Sequence, residues 1–108
     1  MSANPEVAMI LAIVTFHVPE PVGHAAARAG SEASAPSYQG VPDLVRKVYT
    51  RAPDGSTLGG VYQWTSQAAA EAFYDEAWRA RLTERFGAPP EIEYLEALTV
   101  VDNERISS

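Results

Sequence analysis

Val7-Ala8-Met9-Ile10-Leu11-Ala12-Ile13-Val14-Thr15-Phe16-His17 is the stretch that decides how this chain folds. It is rich in β-branched and aromatic residues, and Pro19 and Pro21 end it, so it reads as a strand. Along a strand, alternate side chains point to opposite faces. One set is Val7, Met9, Leu11, Ile13, Thr15 and His17; the other is Ala8, Ile10, Ala12, Val14 and Phe16. Both sets are apolar, so both faces of this strand are expected to be covered. The run is too short to span a bilayer, which takes about 20 apolar residues. Glu6 stands where a secretion signal would carry positive charge. The run is therefore read as a buried strand of a cytoplasmic protein, after a short polar leader at 1–6.

Outward from this strand, the chain divides by turn and cap signals. Residues 20–35 are a weak helix candidate: alanines at 25, 26, 27, 29, 33 and 35 favour helix, while Gly23 and Gly30 oppose it. No apolar stripe is present there, so an irregular or mobile segment is expected. Ser34 is placed to cap a short helical piece, with Pro36 in its first turn and Gly40 near its end. Asp43 to Arg51 reads as a strand. Pro53-Asp54-Gly55 is a turn, and Leu58 to Thr65 a second strand across it. Gly59 and Gly60 within that strand point to a bulge or a close backbone approach. Ser66 caps a helix containing Ala68 to Tyr74, and Asp75 a second over 76–86. There Trp78, Leu82 and Phe86 recur every four residues as a buried stripe. Gly87 is a helix stop, Pro89-Pro90 block continuation, and Glu91 to Val101 reads as a last strand.

The order β-α-β-β-α-β predicts an α+β, ferredoxin-like fold over 1–108 as one domain. Its four-stranded antiparallel sheet has strand order 4-1-3-2, with helices on one face. Charge placement agrees. The first strand has no charge before His17, whereas Arg46, Lys47, Arg51, Glu91, Glu93 and Glu96 fall on the outer strands, where they blunt edges. Helices cover one face only. A second copy is the simplest cover for the other, giving a homodimer in which two sheets pack together as a dimeric α+β barrel.

Composition narrows the function. The 108 residues carry 14 acidic and 8 basic side chains, seven of the basic ones arginine, and no cysteine. A net charge of −6 argues against nucleic acid or an anionic membrane as partner. The lack of cysteine excludes a disulfide framework, a thiol nucleophile and thiolate metal sites. No nucleotide-binding or metalloprotease motif occurs. His17, Glu20 and His24 have a spacing that fits no standard metal template. His17, at the end of a central strand and beside the start of the first helix, is a candidate base for a bound phenol or enol. Tyr62 and Trp64 share one strand face, and Tyr49 shares another with Lys47. Polar-tipped aromatics of this kind suit a flat, partly polar ligand, and Lys47 suits its anionic oxygen. Phe73 and Trp78 read first as core packing.

Within these segments, Val41-Pro42-Asp43-Leu44-Val45-Arg46-Lys47-Val48-Tyr49 and Gly59-Gly60-Val61-Tyr62-Gln63-Trp64-Thr65-Ser66 carry a likeness. So do Ala69-Ala70-Glu71-Ala72-Phe73-Tyr74 and Pro90-Glu91-Ile92-Glu93-Tyr94-Leu95-Glu96. Over roughly 41–103 the chain resembles the YdhR-type monooxygenases of the dimeric α+β barrel superfamily, related to the antibiotic-biosynthesis monooxygenases. Asp43 departs from that pattern, which favours glycine, and so does the alanine- and glycine-rich first helix. The resemblance implies a homodimer with a pocket between sheet and helices. It also implies oxidation of a small aromatic or polyketide-like substrate by O2 with no metal, flavin or haem. The expected site has His17 as base and Tyr49 and Lys47 as oxyanion partners, with Tyr62, Trp64, Trp78 and Phe73 as pocket walls. The alternatives are a non-catalytic small-molecule binding protein of the same fold, and another reaction on it, such as isomerisation or haem degradation.

Overall fold

The structure, a computed structural model, describes residues 9–103. The elements are β1 (Met9–His17), α1 (His24–Ser34), a 3-10 turn (Ala35–Tyr38), β2 (Leu44–Arg51), β3 (Thr57–Trp64), α2 (Gln67–Phe73), α3 (Glu76–Phe86) and β4 (Glu91–Ala97). The expectations for residues 1–8 lie outside the described residues. All strand pairs are antiparallel, and the sheet order is β2-β3-β1-β4, as the element order predicts. The result is a ferredoxin-like α+β fold.

The parity of β1 sets the two faces. Ile10, Ala12, Val14 and Phe16 are buried under the helices, while Met9, Leu11, Ile13 and Thr15 on the other face are half-covered. Trp78 and Leu82 of α3 lie over the buried set, and Phe86 stacks on Phe16 at 4.4 Å between ring centroids. The Trp64 indole N–H donates to the Tyr74 hydroxyl at 3.0 Å, which satisfies two polar atoms in the aromatic core.

Local chemistry explains the boundaries. Ser66 Oγ accepts the Ala69 N–H at 3.1 Å, and Asp75 Oδ1 accepts the Trp78 N–H at 2.8 Å, each capping a helix start. Gly87 ends α3 at φ 85°, a left-handed conformation that favours glycine. In the Ala52–Gly55 turn the Gly55 N–H donates to the Ala52 carbonyl at 2.7 Å. The Arg51 side chain then donates to the Val22 carbonyl at 2.8 Å and holds the β1–α1 loop.

Of the two roles expected for the glycine pair in β3, a bulge or a close backbone approach, the structure shows the second, and two other expectations are corrected. Gly59 is a close approach, since a Cβ there would collide with the Val14 carbonyl of β1. The register irregularity falls instead in β2, where Val45 lies between Leu44, opposite Trp64, and Arg46, opposite Gln63. Residues 20–35 contain a continuous eleven-residue helix, although none of its residues is buried. Alanine propensity sustains it without a packed stripe. Strand β4 ends at Ala97 rather than Val101. Ala97 lies opposite Met9, and Leu98, Val100 and Val101 beyond it are exposed. Among the described residues, no helix is long and apolar enough to cross a membrane.

Candidate active site

A cavity of about 600 Å³ lies between α1, the end of α3 and the helix-side face of β2 and β3. It explains the missing apolar stripe of α1. The small residues Ala26, Ala27, Gly30, Ser31 and Ser34 face this space, so the helix walls a cavity rather than packing on the sheet.

The extra residue at Val45 makes Leu44 and Lys47 both point inward, and Tyr49 follows Lys47 by parity. Lys47 lies opposite Tyr62 of β3. Its Nζ sits 3.4 Å from the Tyr38 ring centroid, 3.8 Å from that of Tyr49 and 4.6 Å from that of Tyr62. The Tyr49 hydroxyl and Ser34 Oγ are 2.6 Å apart, which ties β2 to the last residue of α1. Tyr38, on the 3-10 turn, accepts the Trp78 indole N–H at 3.4 Å. Ser34 Oγ thus pairs with the Tyr49 hydroxyl and the Ser31 carbonyl and gives the 3-10 turn no side-chain cap.

Burial, and then the nearby Arg85 charge, push the Lys47 amine down to about 7. The three ring faces pull the other way, because they stabilise the ammonium. Pushed down to about 7, the amine can both accept and donate a proton near neutral pH. Burial raises Tyr49, against the hydrogen bond from Ser34, which favours its ionised form. Burial and the adjacent Tyr38 push Tyr62 far above the ordinary tyrosine range, so it stays a neutral donor. The site can hold a flat ring, stabilise an oxyanion with Lys47 or Tyr49, and move one proton at Lys47 Nζ.

Of the residues expected from sequence, Lys47, Tyr49 and Tyr62 come together here. Trp64 and Trp78 are buried in the core, outside the cavity lining. Phe73 packs on Trp64 at 5.3 Å and on Tyr38 at 5.9 Å, behind the cavity wall. His17 does not open onto the cavity. Strand parity puts it on the face with Leu11 and Ile13, where its Nε2 lies 3.1 Å from Glu91 Oε1 and both side chains are exposed. Tyr38, Ser34, Arg81 and Arg85 line the cavity without having been singled out as site residues. Tyr38 had one faint signal, a lone aromatic in a small polar stretch between Pro36 and Gly40. Among the described residues, no three His, Cys, Asp or Glu side chains converge to hold a metal ion.

No family model matches the chain, and no curated protein matches it. Solved structures do. The chain is similar to the ActVA-Orf6 monooxygenase of Streptomyces coelicolor, solved in complex with nanaomycin D, at 21% identity and a TM-score of 0.64. That match covers 94% of this chain and 96% of the other. It is similar to a Nitrosomonas europaea protein of unknown function at 16% identity and a TM-score of 0.67, over 93% and 99% of the two chains. A Mycobacterium tuberculosis protein, Rv0793, matches at 20% identity and a TM-score of 0.62, over 87% and 99%. The sheet and helices thus share the fold of these proteins. At these identities the likeness is one of fold.

Proposed function

We propose that this protein is a cofactor-independent monooxygenase acting on a small aromatic or polyketide-like substrate in the cavity between α1 and the sheet. The observation that carries the reading is Lys47, an amine titrating near neutral pH inside a box of Tyr38, Tyr49 and Tyr62. In this reading Lys47 Nζ takes the phenolic proton of the substrate, and Tyr49 holds the resulting oxyanion. The electron-rich phenolate passes one electron to O2, and the two radicals combine into a carbon–oxygen bond. Loss of water then breaks the O–O bond and the C–H bond at the oxygenated carbon: Lys47 returns its proton to the outer oxygen, and the ring hydrogen leaves as the second proton of the water. The balance is hydroxyarene plus O2 to quinone plus water. His17, paired with Glu91 on the other face, has no part in it.

The nanaomycin D complex of the Streptomyces fold neighbour supports a polycyclic ligand. Kinship with the YdhR-type proteins has its own support. Asp43 adopts φ 69°, a conformation that favours the glycine common there. The outer sheet face supports the homodimer: Val48 and Leu95 are 49% and 44% exposed beside half-covered Leu11, Ile13 and Val61. In this reading the chain is a single cytoplasmic domain that pairs with a second copy. The test is O2 uptake with a panel of hydroxylated naphthalenes and anthracenes, using purified protein with and without chelator. Uptake with stoichiometric quinone supports the reading. Binding without uptake favours the non-catalytic binding protein.

A further inference from the structure

The charge of the cavity wall is the reverse of the charge of the chain. Arg28, Lys47, Arg51, Arg81 and Arg85 all line it, five of the chain's eight lysines and arginines. No Asp or Glu among the described residues does, although the chain has 14. Glu20 and Glu84 line a separate shallow cleft beyond Arg85 and Phe86.

Two of the five cations have oxygen partners within the protein. Arg51 donates to the Val22 carbonyl, and Arg28 lies 3.8 Å from Glu32. Lys47, Arg81 and Arg85 pair with no carboxylate among the described residues. Arg81 and Arg85 are four residues apart on α3, so their side chains are neighbours on one helix face, flanking the buried Trp78–Leu82 stripe. The Arg85 guanidinium reaches across to α1, where a Cβ on Gly30 would touch its Nη2 at 3.8 Å. The small residues of α1 leave that space open. Apolar Phe16, Val22, Leu58 and Phe86 line the same cavity, Phe86 with the Arg85 guanidinium 5.3 Å from its ring centroid.

Arg81 and Arg85 are exposed where they line the cavity and carry no carboxylate among the described residues, so their guanidinium forks are free to take an anion that enters it. The net charge of −6 also repels anions from most of the surface, so a cationic cavity lining in this protein selects for what enters it. We infer that the substrate class is an aromatic carboxylate, its rings on the apolar wall and its carboxylate held by Arg81 and Arg85. Guanidinium forks match carboxylate geometry better than an ammonium does, which leaves Lys47 for the ring oxygen. This inference rests on the cavity being the ligand site.

The test compares 2-anthracenecarboxylate with its neutral carboxamide by fluorescence titration of the parent protein. The carboxylate is expected to bind at least tenfold tighter at low salt, with the ratio narrowing as salt is raised. In an Arg81→Gln, Arg85→Gln double variant the ratio is expected to fall towards one. Equal binding of acid and amide by the parent overturns the charge inference and leaves the aromatic cavity standing. A preference that survives the double variant overturns the arginine assignment. Failure of both probes to bind at millimolar concentration overturns the cavity reading itself, and this inference with it.

Discussion

Moving an ammonium out of water is costly, and at Lys47 three tyrosine faces offset part of that cost. Burial, and then the Arg85 charge, push the amine down to about 7. Two outcomes follow at this residue. As a base, Lys47 works only when neutral, so kcat/KM on a confirmed substrate should rise as pH passes about 7 and level off above it. Lys47→Met should cost about 10²–10⁴-fold in turnover, the usual loss on removing a general base. The second outcome concerns stability. Between about pH 7 and the ordinary lysine value of 10.5, the unfolded chain holds a proton on Lys47 that the folded chain has lost. Stability from this group therefore rises with pH across that window. Buried Tyr62 acts oppositely, but only near and above pH 10, where the unfolded chain alone ionises. Urea midpoints of parent and Lys47→Met between pH 6.5 and 9.5 check this: the parent should gain relative to the variant. A parallel pair of curves would refute it.

At the scale of elements, the helix caps and the close strand approach set the order of sensitivity. Asp75→Ala removes the acceptor for the Trp78 N–H and should cost about 1 kcal/mol. Gly59→Ala drives a methyl into the β1 backbone at Val14, in the middle of the sheet, where neither strand can yield cheaply. It should cost more than Asp75→Ala, about 1–3 kcal/mol or above. Equilibrium urea unfolding of both variants ranks them. Helix α1 behaves differently because none of its residues is buried. Its amide protons should exchange much faster than those of β1, which is hydrogen-bonded on both sides. Equal protection would mean that something absent from the single chain covers α1.

Across the whole molecule, the uncovered face of the sheet is the dominant feature. Val48, Val61 and Ile13 lie in register across three strands, as do Gln63, Leu11 and Leu95. A second copy laid on this band would remove it from water, at roughly 25 cal/mol per Å² of apolar area. Sedimentation equilibrium at micromolar concentration should give twice the chain mass. Val48→Lys with Leu95→Lys should shift it to the monomer without loss of secondary structure, since both positions are about half-exposed in the single chain. A parent that sediments as a stable monomer would rule out the pairing.

The local code of this sequence was enough for its elements and their order. A doubly apolar strand, Ser66 and Asp75 as caps, Gly87 as stop and Pro53-Asp54-Gly55 as turn each act within a few residues, so neighbours alone set them. Strand polarity likewise separated the central strands from the edges. The site was legible only in part. Lys47, Tyr49 and Tyr62 were visible as polar-tipped residues on strand faces, but which face met the cavity depended on an irregularity at Val45 that no local signal marks. His17 pointed away because β1 parity is counted from the core, and both of its faces were apolar in sequence. Arg81 and Arg85 lie beside the apolar stripe of α3 and carry no local signal of a site. Only the standing-off of α1, a helix too small-sided to pack, turned their surroundings into a cavity wall. Tertiary structure decided the site because a cavity is defined by what fails to fill it, and that depends on residues far apart in the chain.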